Sequence, residues 1–333
     1  MSRWLGEGEK SYYKRVETFL ESEGGNEDEL FLKNVLEQVL ADGAKRVCCD
    51  KDGSKAVERI LRSLRVDAPS LQKLMEALSG DYHNLATDRC GSHVMETLLR
   101  ESARLLKTDG SEDLQDHFFS MCTTMKIHLS EFIAHPYASH VLSVMVQVLS
   151  GVYVSDHLSR SKYSQEFRKA KMTPVTSLSK QKGEGQVETK IDVPESFTRH
   201  LEAVGKAICK LSTLSVLLTH KCASPVLQVA LRALTGRLPI RGKKLAEKIM
   251  QCPGVCQPEN EDTLPSLFTD AVASHLMDTL IAVSSPTLYQ HIYDTCFRGR
   301  LVVFALHKVA NYPLQQLIIT ATPTQVMSTL ALV

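Results

Sequence analysis

The sequence predicts an all-α fold, a solenoid of stacked two-helix repeats. Three observations predict it. Hydrophobic residues make up 43% of the 333 residues and aromatics only 6%, a balance that suits packed helices better than sheets. Six segments along the chain share one pattern: KDGSKAVERIL at 51, RCGSHVMETLL at 89, PYASHVLSVMV at 136, KCASPVLQVAL at 221, AVASHLMDTLI at 271 and KVANYPLQQLI at 308. Within each segment the apolar residues recur with helical spacing.

The six segments align on Ser54, Ser92, Ser139, Ser224, Ser274 and Asn311. The residues two, three, six and seven after this anchor are apolar in every copy, as in Val94, Met95, Leu98 and Leu99 of the second. The residue before each anchor is small: Gly53, Gly91, Ala138, Ala223, Ala273 and Ala310. At about 100° per residue it falls in the middle of the apolar stripe. A small residue there lets a neighbouring helix approach closely.

The anchor and the residues one and four after it are expected beside that stripe, on a separate face. They form the sets Ser54-Lys55-Glu58, Ser92-His93-Glu96, Ser139-His140-Ser143, Ser224-Pro225-Gln228, Ser274-His275-Asp278 and Asn311-Tyr312-Gln315. The residue three before the anchor joins them, and it is Lys51, Arg89, Lys221 and Lys308 in four copies. These side chains are candidates for a repeated binding surface, with the cations suited to phosphate contacts.

Each such helix has an apolar-periodic run before it, beginning at 29, 70, 114, 197, 243 and 287. Asp67 with Pro69, and Ser285 with Pro286, read as helix starts, because proline is tolerated in the first turn. Anchor spacings of 38 and 37 residues match a two-helix unit, and those of 47, 50 and 85 require insertions. The chain therefore divides into an N-terminal capping helix within 11–27, three repeats in 28–154, a basic flexible insertion at 155–192, and further repeats in 193–333. Between 157 and 190 the insertion holds eight Lys or Arg against three Glu. A second loop is expected over Gln251 to Pro265. Pro323 to Val333 starts another first helix with no second helix after it, so the expectation is an incomplete repeat and an N-terminal fragment of a longer protein.

A helix bearing Ser, a stacking residue, and Gln or Glu four after the Ser resembles the RNA-reading helix of Pumilio-like repeats. The irregular spacing, the basic insertion after the third copy and the DVPESF segment (Asp192 to Phe197) are similar to the divergent nucleolar protein nine branch of that family. The resemblance covers nearly the whole chain. It implies a right-handed α-solenoid forming a curved superhelix, with about eleven repeats in the full-length relatives. By the family's code, Ser92-His93-Glu96 suits guanine and Asn311-Tyr312-Gln315 suits uracil. The Ser54 and Ser224 sets are partial matches, and the Ser139 and Ser274 sets depart from the code. The implied function is binding of small-subunit pre-ribosomal RNA, single-stranded or structured, on the concave face. The implied role is regulating nucleolytic processing of that RNA in nucleolar small-subunit precursors. The protein is expected to act as a monomer, without DNA or membrane.

The alternative is a HEAT- or armadillo-type scaffold that binds protein partners without RNA. A net charge of +1 argues against a histone-like polycation but leaves room for a local basic stripe. An enzyme is not expected. Neighbours in sequence such as Ser92 and His93 diverge by about 100° on a helix, and no GxSxG, HExxH or phosphate-cradling glycine loop occurs. Nothing at the N-terminus reads as a secretory signal, so the nine cysteines are expected as reduced thiols. Cys252 and Cys256 have a tempting spacing but no second pair at finger distance, so no metal or cofactor is expected.

Overall fold

The computed structural model describes residues 5–21, 29–63, 66–108, 111–153, 189–255 and 263–322. They form an all-α protein whose one exception is a two-residue strand pair, Val152–Tyr153 with Thr189–Lys190. The capping helix is α1 (Glu7–Glu21), starting four residues before the expected bound, while 22–28 lie outside the described residues.

Each repeat holds three helical pieces rather than two. The first is α2 (Glu29–Ala41), α3 (Ala44–Cys48) and α4 (Lys51–Arg62). The second is α5 (Ala68–Leu78), α6 (Tyr82–Thr87) and α7 (Gly91–Thr108), and the third is α8 (Glu112–Ile127), α9 (Leu129–Phe132) and α10 (Ala138–Ser150). The fourth comprises α11 (Glu195–Cys209), α12 (Leu214–Leu217) and α13 (Ala223–Arg237). The fifth comprises α14 (Pro239–Met250), α15 (Ser266–Thr269) and α16 (Ala273–Ala282). The sixth comprises α17 (Pro286–Ile292) with a π-helical turn at Tyr293–Phe297, then α18 (Leu301–Leu306) and α19 (Asn311–Thr320). The middle piece corrects the two-helix expectation. At four to six residues it is too short to show a period in sequence. The expected starts hold: Asp67 accepts from the Ser70 amide and Ser285 Oγ from the Leu288 amide.

The chain divides into two units, Met1–Leu149 with Val193–Ala207, and Ser150–Asp192 with Ile208–Val333. In the first unit α1 packs on α4, α4 on α7, and α5 on α8. Ala56, Val57, Ile60 and Leu61 are fully buried, as are Val94, Met95, Leu98 and Leu99. Each Val, Leu, Ile or Met so buried stabilises the fold by about 1.5–3 kcal/mol. Phe197, from the DVPESF segment, stacks on Phe118 of α8 at 4.9 Å, and His200 stacks on Phe119 at 3.9 Å.

The small residues act as expected. A Cβ on Gly53 would meet the Val47 carbonyl oxygen at 2.5 Å, and one on Gly91 would meet that of Leu85 at 2.9 Å. The short helix before each of these two helices therefore crosses at backbone contact. Ala138, Ala223, Ala273 and Ala310 are fully buried at the same position.

In the second unit α14 and α16 pack on α13, and α19 packs on α16. Phe297 lies between Phe268 at 5.3 Å and Phe304 at 4.2 Å. The apolar pattern fails once: Ile318, seven after the Asn311 anchor, is 57% exposed, and no described element packs over it. At the end of the expected insertion, Lys190 pairs with Val152 in the two-residue strand pair. Residues 155–188 of that insertion lie outside the described residues, as do 256–262 of the second expected loop and 323–333 of the expected incomplete repeat.

Candidate nucleic-acid interface

The last helix of each repeat, the second of its two longer ones, begins with the same cap, four residues before the anchor. Asp50 Oδ1 accepts from the amides of Asp52 and Gly53, Asp88 Oδ1 from Cys90 and Gly91, and Asp270 Oδ1 from Val272 and Ala273. In the other three repeats a histidine takes this place. His135 Nδ1 accepts from Tyr137 and Ala138, His220 Nδ1 from Cys222 and Ala223, and His307 Nδ1 from Val309 and Ala310. The lengths are 2.7 to 3.4 Å. These bonds satisfy orphan amides at the helix start. They fix the first turn, from which the candidate binding side chains project.

The anchor serines are not on a separate exposed face. Ser54, Ser92, Ser139, Ser224 and Ser274 are all buried, which corrects the sequence reading. The reason is angular: at about 100° per residue the anchor lies only about 20° from the apolar residue seven later. Ser54 Oγ donates to the Lys51 carbonyl at 3.2 Å and Ser92 Oγ to that of Arg89 at 3.3 Å. They tie down the turn that carries the cation. Asn311 is half-buried and donates from Nδ2 to the His307 carbonyl at 2.8 Å.

The residue four after the anchor lies about 40° round from it and is exposed only in part. Two sites are closed. Ser143 is buried and donates to the Ser139 carbonyl at 3.0 Å, and Gln228 is buried with Nε2 3.4 Å from Ser224 Oγ. Neither is placed to meet a ligand, a second correction. Glu58 and Glu96 are half-buried, with side chains 14% and 17% exposed, and lie 2.9 Å from Arg62 and 3.4 Å from Arg100. Burial raises the Glu58 carboxyl pKa, opposed by Arg62 and by His93, while Glu96 pushes it further up. Equivalent positions of the first two repeats are thus within electrostatic reach of each other. Asp278 lies 3.7 Å from His275 Nδ1, and its carboxylate raises the imidazole pKa against the effect of burial. Gln315 is exposed and donates to Asn311 Oδ1 at 3.0 Å.

The residue one after the anchor is more open than the anchor itself in every repeat. His93, His275 and Tyr312 are exposed, and His140 and Pro225 half-buried. Lys55 is half-buried and held by Glu17 of α1 at 3.1 Å, so the capping helix engages that position in the first repeat. The four cations are all exposed, Lys51 and Arg89 in the first unit and Lys221 and Lys308 in the second. Sequence reasoning missed two more. Arg62 and Arg100, eight after their anchors, are exposed and bind the third residue of the same set. The signal was an Arg at a fixed register, about 80° round from the anchor on the open side.

Residues 44–333 match the family model described as NOP9-like PUF repeat domain. The chain belongs to this family. It is 24% identical over 335 residues to Nucleolar protein 9 of Homo sapiens, covering 95% of this chain and 50% of that one. Against Nucleolar protein 9 of Phaeosphaeria nodorum it is 26% identical over 337 residues, covering 92% and 46%. The chain thus spans about half the length of these relatives. Among solved structures, that of APUM23 with GGAAUUGACGG superposes with a TM-score of 0.72 at 20% identity, over 98% of this chain and 58% of the other. The RNA-binding domain of yeast Puf5p bound to SMX2 RNA gives 0.55 at 13% identity, over 96% and 70%. These likenesses agree on an all-α fold of Pumilio-like repeats.

Proposed function

We propose that this chain is an RNA-binding module of ribosome biogenesis, and that it holds small-subunit pre-ribosomal RNA on the open side of its second helices. The observation that carries the reading is the exposed cation three before the anchor in four repeats, Lys51, Arg89, Lys221 and Lys308. Lys and Arg neutralise phosphates and release counterions. Beside them, His93, His275 and Tyr312 present flat exposed faces, each able to stack on a base for about 1–3 kcal/mol. Glu96 can accept from the donors of a guanine edge, and Gln315 can donate and accept at a uracil edge. With the third position closed in two repeats, backbone and shape dominate over sequence.

The name carried by the relatives and the RNA held by a structural neighbour support this reading. On it, the protein works in the nucleolus on small-subunit precursors, as a monomer and without chemistry of its own. It regulates nucleolytic processing by covering RNA. The test is binding of single-stranded and structured small-subunit pre-ribosomal RNA across a salt series. Affinity that falls steeply with salt is expected. A chain that binds partner peptides tightly and shifts neither RNA is a protein scaffold, and the reading fails.

A further inference from the structure

Away from the second helices, the first unit gathers three metal-binding side chains. His83 lies on α6, Glu131 on α9, and His128 directly before α9. His83 Nε2 is 3.1 Å from Glu131 Oε2, and His128 Nδ1 is 3.9 Å from the same oxygen. One ligand atom from each residue lies within 4.8 Å of the others. The imidazole centres are 4.5 Å apart at 71°, and Phe132 lies 5.0 and 5.5 Å from them. The imidazoles are half-buried and the carboxylate is exposed, so the group is supported from within and open to solvent.

We propose that His83, His128 and Glu131 bind one divalent transition-metal ion, with zinc the best fit. Two imidazoles and a carboxylate suit zinc, whereas calcium and magnesium prefer oxygen ligands alone. Bonds of about 2.0–2.2 Å in a tetrahedron place ligand atoms about 3.4 Å apart. The observed 3.1 and 3.9 Å bracket that value, and rotation of the solvent-facing side chains closes the remainder. The fourth position is left for water. The contact between His83 and Glu131 is what the ion would replace, with release of any proton shared between them. Because α6 belongs to the second repeat and α9 to the third, the ion would staple consecutive repeats through their short helices. The site stands on its own residues and does not depend on the RNA reading.

The test uses the whole chain, stripped with chelator and kept reduced. Zn²⁺ is titrated by calorimetry, Co²⁺ is followed by visible absorption, and melting is measured with and without Zn²⁺. One ion per chain, a rise in melting temperature with Zn²⁺, and a tetrahedral Co²⁺ spectrum without thiolate charge transfer are expected. His83→Ala, His128→Ala and Glu131→Gln should each weaken Zn²⁺ binding at least about tenfold, while melting in chelator stays near wild type. Should the histidine variants fail to fold, Glu131→Gln, which keeps an acceptor for His83, carries the comparison. Absence of stoichiometric binding, binding undiminished in the variants, or a thiolate-type Co²⁺ spectrum overturns the proposal.

Discussion

Glu96 lies 3.4 Å from Arg100, one helical turn further along α7, with only 17% of its side chain exposed. The carboxylate proposed to read a base is thus already turned toward a cation on its own helix. The pair holds the acceptor in one orientation and offers Arg100, 43% exposed, as a further phosphate contact. Reading a base here means meeting a preset carboxylate rather than recruiting a free one.

Replacing that carboxylate tests the reading. Glu96→Gln should shift preference at a single RNA position away from guanine, by about 1–3 kcal/mol for the cognate base. Stability should change by about 1 kcal/mol or less, because Arg100 stays in water when its half-buried partner loses its charge. Selection of bound RNAs from a random pool, run on both proteins, measures the first, and urea melts the second. Coincident base profiles with sound wild-type binding would remove the reading role of Glu96.

The helix caps give a prediction about stability. His220→Ala leaves the amides of Cys222 and Ala223 without their acceptor and should cost about 1 kcal/mol. His220→Asp should recover most of that loss, because Asp270 caps the next repeat with the same two bonds. Urea melts of the three proteins decide it. If Ala and Asp behave alike, the interchange of acceptors is not what holds these turns.

Close backbone contact gives another. Gly53→Ala puts a methyl group 2.5 Å from the Val47 carbonyl oxygen. The roughly 1 kcal/mol that alanine gains in helix propensity should be outweighed by overpacking of about 1–3 kcal/mol. A stabilised variant in chemical denaturation would show that α3 does not cross α4 this closely.

The pairing of His275 with Asp278 has a pH signature. Asp278 raises the imidazole pKa, with burial opposing. A raised folded-state pKa gives a contribution fully present below the unfolded value of about 6.5. It is lost as pH rises through the folded-state value. Asp278→Asn should therefore lower the His275 midpoint in an NMR titration. The stability gap between wild type and variant should be widest on the acid side and close toward alkaline pH. An unmoved midpoint would deny the coupling.

The repeat register was legible because an apolar stripe at four fixed positions recurs in all six copies. Of these residues only Ile318 stays exposed, on a side of α19 that no described helix packs over. The same wheel contained the burial of the anchors. Ser224 sits beside Leu231 on it, yet polarity suggested an outward face. The cap column was hidden because Asp and His look unlike, although both present a lone pair to the same two amides. The short helices such as α6 were too brief to declare a period. The contact of Lys55 with Glu17 joins residues on two helices 38 positions apart and has no local signal. His83, His128 and Glu131 were likewise invisible, since their meeting depends on how α6 packs near α9.

The central claim is that the exposed cations meet phosphate. The most direct measurement is the salt dependence of RNA affinity for wild type and for the variant with Lys51, Arg89, Lys221 and Lys308 all changed to Ala. Each lost contact to single-stranded RNA should reduce the slope of log affinity against log salt by about 0.7. The account predicts weaker binding across all sequences and a slope lower by about three for the four contacts together. An unchanged slope in a folded variant would contradict it.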